Sequence, residues 1–333
     1  MNSSCNSTPG PRPDDGAYQP SSRPLMRRYS MALTRERKPS FRVMTMSANR
    51  WMRPARWWGL LVAWMLLGCS KNMDATVSAA KSQVERLAQI VAQDVQEVRV
   101  GLPQGAPFLR PLFESEIPAG EDLKAAREAL DRARSKVQDL RVAKSTFFAV
   151  TDADGRVLRT DQEVDRMAGK ALFSSFPELK KALAGGYVET HGSMPEASGV
   201  QGKEDGQWVA AFPVMVGDKA RGLYVTGWSW AGYAYRLETS VRDSEQSKRI
   251  ERGSGKMPLL YVYVVVGDKA YGAPVSPQVN ADAIVKQKPL AKLGPGRTFA
   301  TTLEITGRSF ALAARLTPEL GPNICVSVLR SET

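Results

Sequence analysis

Histidine is almost missing from this chain: His191 is the one imidazole in 333 residues. A lone histidine cannot build a multi-histidine metal site. A serine–histidine–acid triad would have to use it, yet no Gly-x-Ser-x-Gly elbow is present. The expectation is a protein that is not an enzyme and carries no metal or other cofactor. Cysteine is scarce as well, at Cys5, Cys69 and Cys325. Cys5 lies in a polar leader, Cys69 closes an apolar run, and Cys325 sits in "NICVSVL", where it reads as a small buried hydrophobe. With no intramolecular disulfide to staple it, the fold has to rest on its apolar core. Long apolar runs are lacking too. The run at 57–67 has eleven residues and "LLYVYVVV" has eight, against the roughly 20 that a membrane-spanning helix needs.

Concentrated charge is the next absence. The net charge is +12, but residues 1–68 hold eleven Lys and Arg against three acids. That is +8 in the leader, which leaves +4 on the following 265 residues. A nucleic-acid partner calls for a basic face of higher density, so none is expected.

What is present begins with "WWGLLVAWMLLGCSKN". Arg50, Arg53 and Arg56 precede the apolar run, and no acidic residue lies between Arg42 and Asp74. A basic flank ahead of a short apolar stretch is the pattern of an export signal. Leu66-Leu67-Gly68-Cys69 resembles the bacterial lipobox, in which the signal is cut just before a cysteine whose thiol receives a lipid. The resemblance implies that Cys69 is the lipidated first residue of the mature chain. Residues 1–43, rich in Ser, Pro and Arg, read as a disordered or upstream leader; 44–68 read as the signal. The expected location is the bacterial cell envelope, facing the periplasm or exterior. Ser70 follows the cysteine where aspartate is the familiar inner-membrane retention signal, which leans the expectation toward the outer membrane.

The remainder divides by periodicity. Residues 69–143 hold the anchor and two long helices. In 74–100, Val77, Ala80, Val84, Leu87, Val91, Val95 and Val98 form one stripe, and Gly101-Leu102-Pro103 is expected to end the helix. In 121–141, Leu123, Ala126, Leu130, Ala133, Val137 and Leu140 form a second stripe. The stripes are expected to pack together or along the following sheets; a coiled-coil contact with a partner is the alternative. From Lys144 the period becomes two. Residues 144–242 read as strand, strand, helix, three strands, helix, with turns at Asp154-Gly155 and Gly217-Asp218. Residues 257–331 read as a smaller unit of similar order, its helix starting at an Asn280 cap. The fold class is α+β: long helices, then two tandem antiparallel-sheet units.

At "FFAVTDADGRVLRTD…FPELKKALAGG…ETHG…WVAAFPVMVGDKARGLYVTGWS" the chain resembles Cache-type sensor domains, extracytoplasmic relatives of PAS domains. A long helix ahead and a second unit behind suit the double-Cache layout. The resemblance implies binding of a small molecule (an amino acid, carboxylate or amine) in the membrane-distal unit. It also implies signalling; with a lipid in place of transmembrane helices and an output domain, that signalling would require a partner envelope protein. The amino-acid-binding signature of some family members is not found.

The candidate ligand-binding residues follow from strand alternation. Tyr224, Thr226 and Trp228 share one face of their strand, and Trp208 and Phe212 share a face of the next. Rings and a hydroxyl on one sheet face suit an organic ligand, or a cation; packing against the long helices is the alternative. Tyr187 and His191 share a face with Glu189. Arg156, Arg159 and Asp161 on the returning strand of the first hairpin could reach a pocket carboxylate or amine, or stand as exposed charges. Asp152, Asp154 and Glu163 match three positions of a calcium loop, but Arg156 has the wrong sign for a ligand there. A structural or protein-interaction lipoprotein with side-chain-filled sheets is the competing reading of the whole chain.

Overall fold

The computed structural model describes residues 58–114, 123–198, 200, 202, 204–253 and 256–332, with side chains from Asn72 onward except Leu123 and Arg252. The expectations for residues 1–57 and for the Cys69 side chain lie outside this set. The first helix, α1, spans Trp58–Gly105. Among the described residues no helix is long and apolar enough to cross a membrane.

The α1 stripe is buried as its spacing requires: Ala80, Val84, Leu87, Val91, Val95 and Val98 are all fully covered. The helix does not end at Gly101 but runs through Pro103 to Gly105. Gly101 serves a different purpose. A Cβ there would lie 2.6 Å from Leu140 Cδ2, so the glycine permits close helix packing and is not a stop signal. After a 3-10 turn at Ala106–Leu109 and a one-turn α2 (Pro111–Glu114), the second stripe is divided between α3 (Leu123–Lys136) and α4 (Gln138–Val142). They part at Val137, whose φ of −102° and ψ of 116° are extended. Ala126, Leu130, Ala133, Val137 and Leu140 still face inward. Both apolar stripes belong to one cluster with the sheets, so neither remains to serve as a coiled-coil seam for a partner.

The first sheet contains β1 (Phe147–Asp152), β2 (Val157–Thr160), β3 (Val188–Gly192), β4 (Gln207–Val216) and β5 (Lys219–Ser229), in the spatial order β2-β1-β5-β4-β3. A short α5 (Leu172–Ser175) and a 3-10 helix at Pro177–Ala184 cover one face, stopped by Gly185 at φ 99°. The helix α6 (Trp230–Arg252) follows, its first turn capped by the Ser229 hydroxyl accepting from Gly232 N and its end closed by left-handed Gly253. The second sheet contains β6 (Leu260–Val266), β7 (Lys269–Gly272), β8 (Thr298–Ile305), β9 (Arg308–Leu316) and β10 (Ile324–Ser331), in the order β7-β6-β10-β9-β8. Between β7 and β8 lie α7 (Gln278–Lys286) and the single turn α8 (Pro289–Lys292). The two sheets therefore have the same topology. The similar "VMVGDKA" and "VVVGDKA" turns are not equivalent, since one joins β4 to β5 and the other β6 to β7.

Asn280 is not a cap. It lies inside α7, preceded by the N-cap Pro277, and is buried. The helix begins three residues earlier than the Asn signal suggests, and the amide is used in the interior.

Each sheet has a private core on its outer face. Phe147, Met167, Phe176 and Val225 belong to the first; Tyr263, Ile284, Phe310 and Cys325 belong to the second. The inner faces share the large cluster built on α1. α1 packs against β8, β9 and β10 of one sheet and against β4 and β5 of the other.

Candidate functional site

Alternation along β5 sends Tyr224 and Trp228 to the inner face, toward α1, and Leu223 and Val225 to the outer core. Register then places Trp208 of β4 opposite Trp228, and Phe212 opposite Tyr224. Trp208 and Trp228 stack with centroids 4.3 Å apart, and Trp228 stacks on Tyr233 of α6 at 4.6 Å. All three rings are essentially inaccessible to solvent. Both faces of Trp228 are thus occupied by protein rings, and its Nε1 has no hydrogen-bond partner among the described residues.

Tyr224 is also enclosed. A Cβ on Gly105 of α1 would come within 2.7 Å of its ring, and among the described residues its hydroxyl finds no hydrogen-bond partner. Thr226, fully buried, donates to the Phe147 carbonyl at 2.7 Å. Phe212 is half-buried on the rim of the same cluster.

The remaining candidates lie on other elements, although Asp161 stays within electrostatic reach of the Tyr224 phenol. Asp152, at the end of β1, accepts from Asp154 N and Arg156 N at 3.0 and 2.8 Å. With Gly155 at φ 77°, this is a capped hairpin turn. Arg159 Nη1 lies 3.6 Å from Asp165, whose carboxylate also accepts from the backbone N–H groups of Thr160, Met167 and Ala168. Asp161 accepts from Phe148 N at 2.8 Å and lies 3.2 Å from Arg134 of α3. Burial raises the Asp161 pKa above the ordinary carboxylate value, with the Phe148 amide and Arg134 opposing. Arg134 also covers the Phe148 ring, 5.1 Å from its centroid.

Tyr187 and Glu189 are joined, the phenol donating to the carboxylate at 2.9 Å. Arg99 of α1 completes the group by donating from Nε at 3.0 Å. His191, two residues on along edge strand β3, is exposed. The candidates therefore fall into three groups: the aromatic inner face, the Arg159–Asp161 turn, and the β3 edge.

Two concavities occur elsewhere. A cleft with about 60 Å³ of water-accessible space lies beside Tyr263, Tyr271, Ser276 and Gln278 of the second unit. That is room for a few waters. An open groove between α1 and α6 is lined by Arg86, Arg236, Ser244 and Lys248. None of the candidate residues lines either one.

One polar group in the aromatic cluster is absent from the sequence-derived candidates. Asp94, on α1, is 5 % exposed and accepts a 2.8 Å hydrogen bond from the Tyr233 hydroxyl. Desolvation raises its pKa to about 6, against the lowering effect of the Tyr233 hydrogen bond. The signal was available: Leu87, Val91, Asp94 and Val98 step by four, three and four, which puts a carboxylate in the apolar stripe.

No family model matches the chain, and no curated protein matches it. Solved structures do match. The chain is similar to the extracellular domain of vpHK1S-Z8, named as a histidine kinase, at 11% identity over 79% of this chain and 93% of that one, with a TM-score of 0.52. It is similar to a domain of a Vibrio parahaemolyticus protein named as a sensory box/GGDEF family member, at 10% identity over 79% and 98%, with a TM-score of 0.52. It also matches the sensory domain of the Campylobacter jejuni chemoreceptor Tlp3 with isoleucine bound, at 10% identity over 79% and 95%, with a TM-score of 0.46. At these identities the likeness is architectural. The chain has the α+β fold of tandem Cache-like sensor domains, one long helix backing two five-stranded antiparallel sheets.

Proposed function

We propose that this chain is an extracytoplasmic small-molecule-sensing module, tethered to the bacterial envelope by acyl groups on Cys69 and acting through a partner envelope protein. The observation that carries the reading is the layout: two sheets of identical strand order share the apolar stripe of α1. The extracellular kinase domain and the sensory-box domain, to which the chain is similar, supply the analogy. The lipobox-like Leu66–Cys69 and its basic flank support the tether. The expected ligand is an amino acid, carboxylate or amine, and the module has no catalytic role of its own. In this reading the outer membrane is the more favoured location.

A specific observation favours a second reading, a structural or interaction lipoprotein. The aromatic inner face is filled by its own rings, and Thr226, Asp161 and Tyr187 are bonded internally. A ligand seated there would have to displace those contacts.

A thermal-shift screen with amino acids, carboxylates and polyamines separates the two. A ligand at 100 times its dissociation constant adds about 2.7 kcal/mol of stability. If no metabolite moves the melt and pull-downs return a stable envelope partner, sensing is abandoned for the second reading. The tether has its own test: labelled palmitate should enter the wild-type protein and not Cys69→Ser.

A further inference from the structure

The Asp94–Tyr233 pair has a chemistry that a packing role does not require. Asp94 lies in the C-terminal third of α1, where that helix meets the start of α6 and the aromatic stack of β4 and β5. An ionised carboxylate has about four acceptor sites, and its hydrogen-bond donor among the described residues is one neutral phenol, itself wholly buried. A buried charge supported so thinly is costly, and the neutral acid is much less so.

The charged groups around it offset this cost only in part, Arg236 and Lys144 favouring the ionised form. From α1 itself comes Glu97, a like charge one turn away that accepts from Gln93. From α6 come Tyr233 and Arg236, but the Arg236 guanidinium donates to the Ser145 carbonyl at 3.2 Å. From the segment before β1 comes Lys144, which is exposed. From β4 and β5 come Trp208 and Trp228, which do not titrate.

We infer that the joint between α1 and α6 is a proton-responsive clasp: one proton taken up from solvent by Asp94 tightens the seat of the long helix on the first sheet, and its release loosens that seat. The clasp is independent of any ligand and of the tether at Cys69. It would add acidity as an input to a module whose α1 is common to both sheets.

The sign follows from the raised carboxylate pKa. Above about pH 7 Asp94 is ionised in both folded and unfolded chains and contributes no pH dependence. Between about pH 6 and 4 the folded chain holds the proton and the unfolded chain does not, so stability grows as pH falls. From the ordinary 3.8 to about 6, the total is on the order of 100-fold in the folding equilibrium constant.

The test compares full-length wild type with Asp94→Asn from pH 4 to 8, by denaturant melts and by hydrogen exchange of the α1 and α6 amides. Other buried carboxylates (Asp161, Asp205 and Glu238) also have raised values, and the comparison subtracts them. The expected result is that Asp94→Asn is more stable than wild type at pH 7 by up to about 100-fold, and matches it near pH 4. Exchange protection around residues 90–98 and 230–237 should titrate near pH 6 in wild type and be flat in the variant. Identical pH profiles, or a variant less stable at pH 7, overturn the inference. Tyr233→Phe guards against a misfolded variant: loss of the donor should move the wild-type midpoint upward, and an unmoved midpoint also overturns it.

Discussion

Arg99 and Glu189 tie α1 to the edge of the first sheet, and the same guanidinium reaches the second unit. Arg99 Nε is 3.0 Å from Glu189, and Nη2 lies 3.4 Å from the Glu319 carbonyl in the β9–β10 loop. One side chain on the shared helix thus touches both units, with Tyr187 fixing the carboxylate from the other side. Arg99→Ala is expected to cost about 1–2 kcal/mol, limited by the partial exposure of both partners. In urea melts, a double-mutant cycle with Glu189→Gln should show coupling. Additive losses would mean that the contact holds nothing together.

Trp228 is sandwiched between two rings with no water access. Trp228→Ala should destabilise by about 3–5 kcal/mol. A variant within 1 kcal/mol of wild type would show that the site relaxes easily, and a vacant seat for a ligand would then become more credible there.

Gly101 and Leu140 approach too closely for a methyl group between them. Gly101→Ala trades better helix propensity for overpacking and should lose about 1–3 kcal/mol net. A stabilised variant would mean that α4 can shift outward at no cost.

Thr306 has φ 49° and is followed by Gly307 at φ 72° in the β8–β9 hairpin. Two successive positive values suit Asn-Gly, and a β-branched residue is strained there. Thr306→Asn should raise stability by about 1 kcal/mol. An unchanged melting temperature would count against strain at this turn.

Cys325 is wholly buried in the second core, and burial pushes its thiol up to about 12. At pH 8 the folded protein should therefore resist thiol reagents at this position. Labelling should track denaturant unfolding with the same midpoint as circular dichroism. Rapid labelling in native buffer would show that the second sheet opens on its own.

Much of this architecture could be read before any coordinates. The stripes of α1 and α3–α4 and the period-two runs from Lys144 onward located nearly every element, because an amphipathic face leaves a regular record in the chain. The misreadings came where one residue type serves two ends. Gly101 looked like a stop but makes room for Leu140, and Asn280 looked like a cap but is an interior amide. The strand alternation correctly put Tyr224 and Trp228 on one face with Trp208 on the adjacent strand. It could not tell a pocket lining from a packed stack, since both use the same rings at the same spacing. Asp94 was missed because the stripe was traced through its apolar residues alone.

The shared helix has a consequence for synthesis. α1 is made before either sheet, yet the apolar surface that covers part of its stripe comes from residues 260–331. Until the C-terminal strand β10 is available, that stripe stays open to solvent or to a chaperone. A nascent chain paused after the first sheet would be sticky along one flank, and the second sheet expressed alone would lack the helix that completes it.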